Sequence, residues 1–281
     1  MIVKNNVLDK GFIEVIDKLG NDLTVANSAR VSFGKRKTEY DKTDERLVRY
    51  LAKHKHFSPF RHLVVQFHIK APEFVMRQWY KHVVGVEATS SHSTKDHAWN
   101  EISGRYVPVE EYYIPENWRQ QSEDNKQASF GSVKEQEEAC EAYTKALQIT
   151  KHYYEKLLGL GVAKEQARIM LPLSQYTEVY WTASFQAIVN FIELRDEPTS
   201  QWEIREYAKV LRKAQHKIIK DWMSKAKSGV LDFYDINRGI KTNQVSKTYP
   251  YEADFLRNVL LKDKIIDRFK KYFGGRKGKK R

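Results

Sequence analysis

The chain has 281 residues, 41% of them hydrophobic and 12% aromatic, which buries a sizeable core and excludes disorder over most of the length. That length suits one large domain, or one domain with an appendage. A single cysteine, Cys140, excludes an internal disulfide and a cysteine zinc site, while the net charge of +13 raises phosphate-bearing partners and nucleic acid.

The start, MIVKNNVLDK, has no apolar targeting run, and no stretch approaches the ~18 apolar residues of a membrane span. A soluble, cytoplasmic protein is expected. An opening extended piece leads to a helix over Asp22–Arg30, with Asp22 as its N-cap. Lys35–Asp44 reads as a loop, Glu45–His54 as a helix, and HFSPFRH as a turn on Pro59. Four histidines (His54, His56, His62, His68) lie here, but without supporting acids in register they are not read as a metal site. Leu63–Lys70 is the clearest strand, with Leu63, Val65, Phe67 and Ile69 on one side. Pro72 can open the helix PEFVMRQWYKH. Val83–Trp99 reads as a long polar loop, and Val107–Ile114 as a strand stopped by Pro115.

Trp118–Lys134 is a polar loop, and Glu135–Leu158 a strong helix closed by Gly159 and Gly161. A short helix over Lys164–Leu171 stops at Pro172. Tyr180–Leu194 is apolar enough to read as a buried helix, and Ser200–Trp222 repeats apolar residues at helical spacing. One more helix is expected over Ala253–Lys271. The last residues, RFKKYFGGRKGKKR, form a basic tail, more often a solubilising or weakly anion-binding appendage than a reader of nucleic acid. The expected fold is α+β, a mixed sheet flanked by helices with a helical part alongside. The expected domain spans 1–228, and 229–281 forms a C-terminal extension.

The usual P-loop, dinucleotide, zincin and hydrolase signatures are absent. What stands out is Asn100–Tyr106, reading NEISGRY. Ser103, Gly104 and Arg105 combine a hydroxyl, close backbone access and a guanidinium fork, which can hold a phosphate. The same residues can equally form a turn leading into a strand, with Arg105 solvated. Arg168, Arg195 and Asn190 each adjoin apolar sequence, so each needs a partner or a route to solvent.

These segments together resemble the flavin-dependent thymidylate synthases, the family that methylates dUMP with a flavin. VLDKGFIEVIDKLGND, SARVSF, HKHFSPFRHLVVQFHIKAPEFVMRQWYKH, WNEISGRYVPVEEYYIP, QARIMLPLSQYTEVYWT and NFIELRDEPTSQWEIREYA carry the resemblance in unbroken order over roughly residues 7–222. The resemblance implies that Gln78, Glu101, Ser103, Arg105, Arg168 and Arg195 hold dUMP, with Arg105 and Arg168 on its phosphate. Arg195 and Glu101 are the implied catalytic residues, Arg195 facing the uracil ring. Ser32, His56, Ser58, Lys81, His82, Asn100, Glu101 and Asn190 match positions around FAD. NADPH and methylenetetrahydrofolate are the implied co-substrates, and a homotetramer with active sites between subunits the implied assembly. Metal is not implied.

The departures cluster around FAD. The family's Arg-His-Arg is here Lys81-His82-Val83, and 19 residues (84–102) separate Val83 from Ser103, a longer spacer than the family's. Lysine keeps the charge but loses the planar fork. Ala98, Ser184, Gln186, Thr199 and Arg61 also differ from the family's usual residues. This pattern fits a divergent branch, such as a viral or phage-type one, whose product would then be made in the host cytoplasm. Two alternatives are a variant with altered chemistry on dUMP, such as hydroxymethylation, and a non-catalytic nucleotide- or nucleic-acid-binding protein.

Overall fold

The structure is a computed structural model that describes residues 3–82, 97–108, 110–123 and 125–225. Its centre is a five-stranded sheet in the order β1-β2-β3-β7-β4, built from β1 (Val3–Val7), β2 (Gly11–Leu19), β3 (Val64–Pro72), β4 (His97–Glu101) and β7 (Tyr176–Ser184). The α+β class is as expected, but every pairing in this sheet is antiparallel, not mixed. A separate hairpin pairs β5 (Gln120–Gln121) with β6 (Ser129–Phe130) inside the expected polar loop.

Register explains the core. Opposite Phe67 of β3 lies Trp181 of β7, and Trp181 in turn faces Trp99 of β4. Phe67 and Trp99 stack on either side of Trp181 at 5.4 and 5.3 Å between ring centroids. Because strand side chains alternate, His68, Lys70, Glu178 and Tyr180 fall on the opposite, polar face. Helices cover the apolar face. Trp79 of α3 (Glu73–Trp79) meets Trp181 edge-on at 5.3 Å and stacks on Phe191 of α6 (Phe185–Arg195) at 4.3 Å. Tyr207 of α7 (Trp202–Lys225) closes the cluster at 5.8 Å from Trp79. These aromatics are the largest source of burial, at roughly 150–250 Å² each.

Two helices before β3 are fixed by their caps. At α1 (Asp22–Arg30) the cap is Asn21, not Asp22: Asn21 accepts from the Thr24 amide at 3.0 Å, and the Thr24 hydroxyl accepts from the Asn21 amide at 3.0 Å. Asp22 sits in the first turn instead, favoured there by the helix dipole. Helix α2 (Lys42–Lys53) begins three residues earlier than expected, because Asp41 caps the amides of Thr43 and Asp44. Fully buried Asp44 is ion-paired to Arg30, which ties the end of α1 to the start of α2.

Among the described residues of 107–114, an isolated bridge, Tyr112 to Gln175, stands where a strand was expected. The expected helix over Tyr180–Leu194 is in fact the second half of β7 followed by α6, with Ser184 capping the Ala187 amide at 3.2 Å. Helix α4 (Gln136–Gly159) agrees with expectation, whereas α5 (Lys164–Ala167) continues only as a 3-10 turn over Arg168–Met170. Expectations for residues 83–96 and 226–281, the last helix and basic tail included, lie outside the described residues. No helix among the described residues is long and apolar enough to cross a membrane.

Candidate functional site

β4 ends at Glu101, and the chain then turns sharply. The amides of Tyr106 and Val107 both donate to the Ser103 carbonyl, at 2.9 and 3.1 Å. The Ser103 hydroxyl accepts from the backbone amide of Arg105 at 3.3 Å and from its Nε at 3.4 Å. Lys164 of α5 donates to the Tyr106 carbonyl at 3.0 Å, holding the turn against the helix before Arg168. A Cβ on Gly104 would meet Arg168 Cδ at 3.5 Å, so the arginine stem lies across the glycine. NEISGRY is therefore a turn that leads away from a strand, not into one.

The turn rims a cleft of about 330 Å³ whose walls include Glu73, Glu101, Gly104, Arg168, Gln175 and Thr177. The buried Thr177 hydroxyl donates to Glu101 Oε1 at 2.6 Å, which fixes that carboxylate. Lys70 enters the cleft from β3 and pairs with Glu111 and with Glu178, the latter at 3.4 Å. Burial works against its ammonium, but the two carboxylates more than offset this, and its pKa is raised. Arg105 and Arg168 are exposed and make no ion pair among the described residues. Two guanidiniums beside one glycine turn can take up an anion with paired charged hydrogen bonds.

Arg195 ends α6 and is half-buried, and burial lowers its pKa. Its Nε donates to Nε2 of His82, whose ring meets Phe191 edge-on at 5.1 Å. A donor at Nε2 makes that nitrogen the acceptor and leaves the imidazole proton on Nδ1. Gln78, on α3, is hydrogen-bonded to Gln201 at the head of α7. Neither Gln78 nor Arg195 is among the residues that line the cleft of Glu101 and Arg168.

The expected FAD residues are more dispersed. Ser32 is exposed in a 3-10 turn after α1, and His56 and Ser58 are exposed where the chain enters the 3-10 turn Ser58–His62. That second turn packs against both α1 and α6. Asn190 of α6 is half-buried and accepts from Gln186 Nε2 at 2.7 Å. Gln186 is 2% exposed, yet its Oε1 has no hydrogen-bond partner among the described residues. Lys81 is exposed beyond α3, and Asn100 is exposed on β4 opposite Tyr180. Glu101 belongs to the cleft described above.

Sequence reasoning missed Glu73, Thr177 and the Lys70 network. Lys70 was readable as an outward position of the alternating strand Leu63–Lys70. Glu73, a carboxylate followed by the apolar residues Phe74, Val75 and Met76 at the start of α3, was the remaining signal.

The family model described as thymidylate synthase complementing protein matches residues 14–224. The chain is 43% identical over 206 residues to a flavin-dependent thymidylate synthase of Thermus thermophilus, covering 73% of this chain and 71% of that protein. It is 40% identical over 213 residues to one from Thermotoga neapolitana, covering 75% and 88%. Among solved structures, a UMP/dUMP methylase, PolB from Streptomyces cacaoi bound with 5-Br dUMP, is similar at a TM-score of 0.65 and 27% identity. That match covers 79% of this chain and 97% of the other.

Proposed function

This chain belongs to the thymidylate synthase complementing protein family, the flavin-dependent thymidylate synthases, and we propose on that premise that it methylates dUMP to dTMP with FAD, methylenetetrahydrofolate and NADPH. The observation that carries the reading is the pair Arg105 and Arg168, without ion-pair partners among the described residues, beside the Ser103–Gly104 turn. A nucleotide phosphate is the anion these forks suit.

Glu101, held by Thr177, accepts from donors of the nucleotide or flavin in the same cleft. Arg195 supplies a fixed cation against the uracil ring, where negative charge develops as C5 becomes nucleophilic. Its partial burial makes that charge more effective than one in water. His82 orients the guanidinium through Nε. Ser103 is a binding hydroxyl, since it accepts from Arg105 and is hydrogen-bonded to no base among the described residues. Because Gln78 and Arg195 do not line the Glu101 cleft of their own chain, a complete site joins the two halves from different subunits of a homotetramer.

The region around Asn190 fits a polar cofactor on one count: Gln186 Oε1 is a buried acceptor lacking a donor among the described residues. Ser32, His56, Ser58, Lys81, His82, Asn100, Glu101 and Asn190 are the residues that would hold FAD. Bound there, the flavin supplies hydride relay and one-carbon transfer, and the protein supplies position and charge. The test is purification after expression with flavin available. A yellow protein whose flavin spectrum shifts on adding dUMP supports the reading. A colourless protein that takes up no FAD sinks it.

A further inference from the structure

Glu73 lines the cleft with Glu101, and the proposed reaction leaves it without a task. It opens α3 directly after Pro72, and its backbone amide donates to the Gln175 carbonyl at 2.9 Å. Its half-buried side chain lines the cleft together with the Glu101 carboxyl and the Gln175 side chain, which comes from the segment before β7. Glu101 takes the Thr177 hydroxyl at 2.6 Å on its Oε1. Two carboxyls that share one small cleft repel each other while both are ionised, and a single proton held between them turns that repulsion into a hydrogen bond.

We propose that Glu73 is a positioning residue for Glu101: it holds one proton between the two carboxyls, so that binding of a nucleotide monophosphate in this cleft is coupled to proton uptake. The inference rests on the nucleotide reading above and adds to it a residue and a proton.

The surroundings favour this state. Arg77, on the same helix, draws Glu73 toward ionisation, as does Gln175. Burial and the facing Glu101 outweigh both and push Glu73 up to about 7. The phenol of Tyr80 also faces Glu101, and its own pKa is raised by burial and then by that carboxylate. Lys70 offers little relief, being committed to Glu111 and Glu178. A phosphate carrying nearly two negative charges near neutral pH adds to this field. Its arrival raises the proton affinity of Glu73 further, and by linkage protonation of Glu73 favours the phosphate in return.

The test is calorimetric titration of the flavin-loaded full chain with dUMP from about pH 6.5 to about pH 9, in buffers of different ionisation heat. The wild type should take up a fraction of a proton per dUMP, with affinity falling as pH rises past neutrality, by at most about tenfold per pH unit. Glu73→Gln keeps a donor toward Glu101 but cannot ionise. It should show no uptake in this range, a flatter profile, and tighter binding than the wild type at the alkaline end. Wild-type binding without proton uptake overturns the proposal and needs no variant. So does a Glu73→Gln protein that keeps the wild-type uptake and slope. No dUMP binding by the wild type at any pH removes the nucleotide reading, and the proposal with it.

Discussion

Replacing Arg105 or Arg168 by alanine isolates the phosphate half of the proposed site. Neither guanidinium has an ion pair to lose among the described residues, so neither substitution leaves a carboxylate stranded. Arg105 releases only weak contacts, from its Nε to Ser103 Oγ at 3.4 Å and to the Tyr106 ring at 5.3 Å. Arg168 releases a van der Waals contact of its stem with Gly104. The loss is then dominated by one charged hydrogen-bonded partner of the phosphate, worth about 1.5–3 kcal/mol. That is roughly tenfold to a hundredfold in Kd for dUMP by calorimetry at low salt. Raising the salt should shrink the loss, because both arginines are exposed. Deoxyuridine, which lacks the phosphate, is the control: its binding should be the same in wild type and variants. If both variants bind dUMP within about twofold of the wild type, or lose deoxyuridine as much as dUMP, the phosphate assignment is wrong.

Arg195→Ala should abolish turnover while flavin remains bound, as read by dTMP formation and by the flavin spectrum of the same sample; retained turnover would reject its role. Trp79→Ala removes a fully buried ring that touches Trp181, Phe191 and Tyr207, and should cost about 3–5 kcal/mol in denaturant unfolding. A loss below about 1 kcal/mol would show that this cluster is not the core. Glu73 adds a pH dependence to stability. Its folded pKa of about 7 lies above the ordinary 4.5, so its contribution is fully present below about 4.5 and is lost as pH rises through about 7. Partial exposure reduces the effect to about 1 kcal/mol, and Glu73→Gln should flatten the thermal unfolding midpoint between pH 6 and pH 8 relative to the wild type. An identical slope in both proteins would count against the raised pKa.

The clearest features in the sequence were those that one local pattern specifies. Alternation from Leu63 to Lys70 gave β3, and the long apolar stripes gave α4 and α7. β7 was hidden because it is a central strand: Tyr180 and Thr182 on its outer face are uncharged, so the outer positions do not stand out. α6 also follows at Ser184 without a loop, which made the two elements look like one apolar run. At α1 the choice between Asn21 and Asp22 turned on where Thr24 could reciprocate. At the site, Glu101, Ser103, Arg105 and Arg168 were legible from motif order, and the structure gathers Glu101, the Ser103–Gly104 turn and Arg168 around one cleft. The Glu73–Glu101 pair was not legible, since it joins α3 to the end of β4 across the cleft, far apart in sequence.

The central claim is that this chain transfers a one-carbon unit to dUMP and reduces it to a methyl group. Mass spectrometry of the nucleotide after incubation with FAD, NADPH and methylenetetrahydrofolate tests it most directly. The account predicts a product heavier than dUMP by one methylene unit and co-eluting with dTMP. Recovery of unchanged dUMP from flavin-loaded protein, or of a product heavier than dTMP by one oxygen atom, would contradict it.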